Sequence, residues 1–117
     1  MTRRVLGEDC AGAFFALDGR GHVAGGVVFR RADVRVVEVS FLAVFPDYAG
    51  RGVGSKLVAE LKAHARVSGV DALVTHADED AVSFWRDRCG FEATAVPADL
   101  APWIHHYDAS TFMAARL

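Results

Sequence analysis

The sequence predicts a mixed α/β fold: a mostly antiparallel sheet with a central parallel strand pair, flanked by helices. Three observations carry this. The apolar runs 13–17, 22–30 and 36–44 are separated only by short turns, which makes an antiparallel meander. A helix-periodic segment, 52–68, joins the third run to another at 72–76, and a strand–helix–strand crossover of that length implies a parallel pair. A second helical segment from Asp78 to about Arg88 leads into apolar runs at 91–95 and 111–117, so strands and helices alternate along the chain.

Ala13-Phe-Phe-Ala-Leu17 is a short buried strand. Asp18-Gly19-Arg20-Gly21 is a hairpin turn in which Gly19 supplies the positive φ. Within the strand His22–Arg30, Gly25-Gly26 signals a bulge or a close backbone approach. Arg31–Val34 is the next turn. In the strand Val36–Val44, strict alternation puts Val37, Val39, Phe41 and Ala43 on one face and Glu38, Ser40, Leu42 and Val44 on the other. Both faces are largely apolar, so the strand is expected to be covered on both sides, and Pro46 stops it.

Val53, Leu57, Leu61 and Ala65 recur every four residues as the buried ridge of the helix 52–68, which Ser68-Gly69 ends. Asp78 is placed to cap the next helix, with Glu79 and Asp80 in its first turn and Gly90 closing it. The proline-containing stretch 97–105 reads as irregular.

The 117 residues suffice for one domain with one core. With 52% hydrophobic and 24% charged residues the chain is too apolar for disorder, and a net charge of −2 argues against a nucleic-acid binder. Cys10 and Cys89 are far apart and read as two buried thiols in a reducing compartment. Met1-Thr-Arg-Arg4 does not open a signal peptide, and no apolar run approaches the ~20 residues of a membrane span. A soluble intracellular protein is expected, with cytoplasm and nucleus undistinguished. His105 and His106 are adjacent and face opposite ways when extended, so no metal site is expected.

Gly50-Arg51-Gly52-Val53-Gly54-Ser55 precedes a helix. Free backbone N–H groups at a positive helix end bind anions, and glycine lets the backbone approach phosphate closely. Taken alone, such a loop is as readily a plain turn. A Walker A loop fails, because the order here is Gly54-Ser55-Lys56. A dinucleotide fingerprint fails at Ser55 or at Leu57, depending on the starting glycine, and belongs in the first unit of a parallel sheet.

With its neighbours the loop is more specific. A strand carrying Glu38, then Phe-Leu-Ala-Val44, Pro46 and Gly50-Arg-Gly-Val-Gly54 resembles the GNAT acetyltransferase superfamily, whose pyrophosphate loop reads Gln/Arg-x-x-Gly-x-Gly/Ala. Gly52 and Gly54 match, while Ala49 stands where Gln or Arg is usual. Glu38–Val44, Thr75–Trp85, Cys89-Gly-Phe91 and Trp103–Met113 are similar to corresponding blocks of the PCAF-type histone lysine acetyltransferases.

The resemblance implies an acetyl-CoA-dependent N-acetyltransferase whose acceptor is a protein lysine, histones included. It implies Glu38 as the general base, and a carboxylate in an otherwise apolar strand is expected to lose solvation. Backbone N–H groups of Leu42, Ala43 and Val44 would bind the thioester oxygen if this strand splays from the next. Ala49, Gly50, Arg51, Gly52, Val53, Gly54 and Ser55 would hold the pyrophosphate, and Ala81 and Phe84 would line the coenzyme arm. Trp85 occupies the position where many members have an acidic Tyr, and Asp80 replaces a Tyr of the branch. Tyr107 matches a branch Tyr near the peptide groove; Trp103 reads equally as a core aromatic.

The resemblance implies residues 1–117 as a single acetyltransferase domain that lacks the usual N-terminal strand and helices. No nucleic acid or membrane partner is expected, and the oligomeric state stays open. Two alternatives remain: a small-amine N-acetyltransferase, and a non-catalytic acyl-CoA-binding module.

Overall fold

The computed structural model describes residues 2–6, 12–97 and 110–117. Seven strands, β1 (Thr2–Leu6), β2 (Gly12–Leu17), β3 (Val23–Asp33), β4 (Val36–Val44), β5 (Ala72–Asp78), β6 (Glu92–Ala93) and β7 (Ser110–Arg116), form one sheet in the order β1-β2-β3-β4-β5-β7-β6. Neighbours run antiparallel except β4 and β5, which α1 (Val53–Val67) connects as a parallel pair. The second helix, α2 (Val82–Cys89), follows β5.

Both helices pack on one sheet face. Leu57, Val58, Leu61 and Ala65 of α1 and Trp85 and Cys89 of α2 share a core with Phe14, Val27, Phe29, Val37, Val39 and Leu73. Burying each such leucine is worth about 1.5–3 kcal/mol. The opposite face carries a smaller cluster of Ala32, Val74 and Phe112. Each helix stops at a left-handed glycine, Gly69 (φ 78°) and Gly90 (φ 73°), where returning N–H groups meet the last carbonyls.

The structure corrects several expectations. In the first hairpin, Gly21 (φ 83°), not Gly19, is left-handed. Asp18 Oδ1 accepts from the N–H groups of Arg20 (2.8 Å) and His22 (2.9 Å), which moves the reversal to Gly21. β3 runs on to Asp33, so the turn falls at Val34-Arg35 rather than Arg31–Val34. β5 continues past His76 to Asp78, which then occupies the N-cap of a short 3-10 turn (Glu79–Ala81) without a side-chain capping bond. The strand expected at 91–95 shrinks to Glu92–Ala93, and β1 was not anticipated.

The correction with most consequence concerns β4. Val28 pairs with Phe41 but Phe29 pairs with Val39, so Ser40 is an extra residue, a β-bulge. The bulge inverts the alternation beyond it. Leu42 packs against the helix-side core together with Val37 and Val39, whereas Phe41 is 63% exposed. Cover on both sides is therefore confined to Val37–Val39; Ser40, Phe41 and Ala43 are exposed.

Candidate functional site

β4 and β5 pair only from Val36↔Ala72 to Val39↔Thr75, then separate. β4 continues to Val44 and β5 to Asp78, so their facing edges open into a fork. Thr75 Oγ1 donates to Val39 O (3.1 Å) at its apex. A cleft of about 570 Å³ fills the fork and reaches the start of α1. Leu42, Ala43 and Val44 line one wall, and His76, Ala77 and Asp78 the other.

At its far end lie Ala49, Gly50, Gly52, Val53, Gly54 and Ser55. The first helical bond runs from Lys56 N–H to Gly52 O (3.1 Å), so the N–H groups of Val53, Gly54 and Ser55 have no acceptor within the helix. Gly50 (φ 75°) and Gly52 (φ 78°) are left-handed, which turns the loop into the helix. A Cβ on Gly54 would lie 3.1 Å from Phe84 Cζ, so this glycine lets α1 and α2 approach at the cleft wall. Arg51 does not line the cleft; its guanidinium sits 5.7 Å from the Tyr48 ring centre.

Tyr48, which sequence reasoning passed over, lines the cleft and donates through Oη to Asp18 Oδ2 (2.6 Å). That bond, with the two turn N–H groups, holds the Asp18 carboxyl down at about 2 and pushes the Tyr48 phenol up. The β2–β3 hairpin is thereby tied to the glycine loop. Thr75, His76 and Arg88 were also passed over as lining residues. For His76 the signal lay in the register: residues beyond the last common pair of two parallel strands must border the gap.

Glu38 is buried at 2% exposure on the sheet face away from the helices, one residue before the fork, and does not line the cleft. Its Oε1 lies 2.7 Å from Arg30 Nη2 on β3. The counter-charge is Arg30, the residue paired with Glu38 across the strands. Ala81 and Phe84 line the cleft from the helix side. Trp85 borders it too, but its ring is buried against Phe91, centroids 4.9 Å apart. Asp80 is exposed. Tyr107, Trp103, His105, His106 and Cys10 lie outside the described residues; Cys89 is buried, and burial pushes its thiol up to about 11. Among the described residues, no helix is long and apolar enough to cross a membrane.

What can such a site hold? The fork offers two rows of open peptide edge to an extended chain, as a third strand would. The loop offers unpartnered N–H groups at a positive helix end to an anion. A ligand that is an extended amide arm ending in phosphates satisfies both.

Comparison with known proteins points the same way. Histone acetyltransferase GCN5 of Oryza sativa subsp. japonica is 31% identical over 100 residues, covering 81% of this chain and 19% of that protein. This chain thus spans about a fifth of that relative's length. The crystal structure of Tetrahymena GCN5 superimposes with a TM-score of 0.79 at 29% identity, over 91% of this chain and 68% of that one. The catalytic domain of Tetrahymena GCN5 histone acetyltransferase in complex with coenzyme A superimposes with a TM-score of 0.71 at 29% identity, over 92% and 66%. The acetyltransferase (GNAT) family matches residues 2–91, most of the sheet and both helices, and the chain belongs to that family.

Proposed function

We propose that this chain transfers the acetyl group of acetyl-CoA to the side-chain amine of a protein lysine, with Glu38 as the base that takes up the amine proton. The observation that carries the reading is the early end of the β4–β5 pairing at Val39↔Thr75, with the resulting cleft leading straight to the glycine loop. Histone tails are the first acceptors to try, because the relatives at about 30% identity are histone acetyltransferases.

The residues fit the co-substrate. Val53, Gly54 and Ser55 N–H groups suit the pyrophosphate, and Ala49 costs the site only a side chain, since the donors are backbone. The open β4 edge at Leu42–Val44 would hold the pantetheine arm and polarise the thioester carbonyl. Acetyl-CoA supplies an acyl group already activated as a thioester. The chain orients the amine, excludes water and removes a proton. Phe84 and Trp85 keep the helix side of the cleft apolar. Neither can donate a proton as a phenol would. Glu38 supplies the carboxylate, and because it lies behind the fork apex, the proton reaches it through an intermediary.

One observation favours a second reading. The 2.7 Å ion pair of Glu38 with Arg30 is also what a purely structural carboxylate would show, which suits a non-catalytic acyl-CoA-binding module. The deciding experiment follows CoA release from acetyl-CoA with histone tail peptides, polyamines and small amines. Turnover on peptides that Glu38→Gln reduces about 10²–10⁴-fold supports the base. Full activity in that variant removes Glu38 from the chemistry. Saturable acetyl-CoA binding with no turnover on any amine supports the module, and turnover on small amines alone moves the acceptor class.

A further inference from the structure

Among the described residues, one histidine lines the cleft, His76. It is the first β5 residue beyond the last β4–β5 pair, and so it stands at the apex of the fork. Alternation along β5 puts Leu73, Thr75 and Ala77 toward the helices, and Val74, His76 and Asp78 on the other face. The His76 ring confirms that face: it lies 5.3 Å, centroid to centroid, from Phe112, its partner on β7. Glu38 is the partner of Val74, which makes His76 and Glu38 diagonal neighbours on the sheet face away from α1 and α2.

We infer that His76 is the group that receives the acceptor amine's proton inside the cleft and passes it on toward Glu38 and solvent. This rests on the acetyl-transfer reading. The geometry behind it is a division of labour. Glu38 is buried and held by Arg30, whereas His76 borders the space that the amine must enter. Phe84 and Trp85 close the helix side, so the amine approaches from the face that carries His76. Ser110 Oγ lies 3.2 Å from His76 Nδ1. With Nδ1–H donating to that oxygen, Nε2, itself a buried atom, is the acceptor nitrogen, and the ring is oriented by a neighbour as a base must be. Among the described residues, the charged groups around the ring are Asp78 on its own strand, Glu38 on β4 with Arg30 on β3, and Arg88 on the α2 side of the cleft; β7 adds only the hydroxyls of Ser110 and Thr111.

The ammonium gives one proton to His76 and becomes a nucleophile. Its nitrogen forms the N–C bond to the acetyl carbonyl carbon, and the C–S bond breaks with its electron pair on sulfur. The nitrogen loses a second proton as the amide forms. Of the two protons lost, one ends on the CoA sulfur and one in solvent.

The test compares the wild-type chain with His76→Ala, His76→Gln and Ser110→Ala, using acetyl-CoA and a lysine-containing histone tail peptide or spermine. Acetyl-CoA binding is measured separately. The expected result is a loss of about 100-fold in kcat/KM for both His76 variants. The near-neutral limb of the pH profile disappears, acetyl-CoA affinity stays unchanged, and added imidazole partly restores His76→Ala. Ser110→Ala shows a smaller loss with a displaced limb. His76→Gln keeps shape and polarity, so it serves if His76→Ala fails to fold. Wild-type rates with an intact limb in His76→Gln overturn the inference while leaving acetyl transfer standing. So does a loss that tracks acetyl-CoA binding, or one that leaves the limb in place and resists imidazole. A wild-type chain that binds acetyl-CoA but never turns over on any amine overturns the acetyl-transfer reading, and this inference with it.

Discussion

Tyr48 Oη donates to Asp18 Oδ2 at 2.6 Å, joining the first hairpin to the loop between β4 and α1. Residues 30 apart in sequence are thus locked together beside the glycine turn. The loop proposed to present N–H groups to an anion does not rest on glycines alone. Its approach angle is held from the sheet.

The latch has a pH signature. Asp18 sits at about 2 against an ordinary 3.8, chiefly through the Tyr48 hydroxyl and then the turn N–H groups. A carboxylate whose folded value is depressed stabilises the fold above its unfolded value, and that share is lost as pH falls through the folded one. Melting temperatures of wild type and Asp18→Asn should therefore differ above about pH 4 and converge toward about pH 2. A gap constant across that range would show the carboxylate charge to be irrelevant. Tyr48→Phe, which removes only the hydroxyl, should weaken acetyl-CoA binding in titration calorimetry.

The glycine loop should tolerate little. Gly52→Ala forces a side chain into the left-handed region at φ 78° and should cost about 1–2 kcal/mol in chemical denaturation. Gly54→Val acts differently. Its Cβ would sit 3.1 Å from Phe84 Cζ, so the helices must part at the cleft wall. Acetyl-CoA affinity should fall more than stability does, and unchanged affinity would mean that the anion site lies elsewhere.

Much of this site was legible in the sequence because its signals are local. Pro46 and Gly69 mark ends, Leu57 and Leu61 mark a face, and Gly50 to Gly54 mark a loop. What escaped depends on register. Ser40 as a bulge has no compositional trace, yet it exchanges the faces of Phe41 and Leu42. Gly19 and Gly21 look alike until Asp18 Oδ1 accepts two N–H groups and selects one. Arg30 and Arg35 both flank Glu38 in sequence, and only the β3–β4 pairing decides for Arg30, while Arg35 goes to Asp71. His76 and Asp78 became cleft residues only once the last β4–β5 pair was known.

Removing Arg30 should be costly. Arg30→Met leaves the Glu38 carboxylate buried without its counter-charge, and breaking one side of a buried pair costs about 3–5 kcal/mol, less here to the extent that Arg30 is part-exposed. Arg30→Met with Glu38→Leu should regain most of that in urea denaturation. If the single variant is as stable as wild type, water is reaching Glu38, and the carboxylate is nearer the cleft than its burial implies.

Cys89 should be inert until the fold opens. Burial raises its thiol to about 11, with Lys62 pulling weakly the other way. Only the thiolate attacks iodoacetamide, so native protein at pH 8 should stay unlabelled at this position while urea-unfolded protein reacts. The linkage runs opposite to that of Asp18. A folded value above the unfolded one makes the neutral thiol a stabilising group below about pH 9, and that share is lost as pH rises toward about 11. Cys89→Ala should remove this alkaline decline at the cost of a small cavity beside Trp85 and Phe91, both in the same core. Rapid labelling of the native chain at Cys89 would mean that α2 unfolds locally, and with it the helix wall of the cleft.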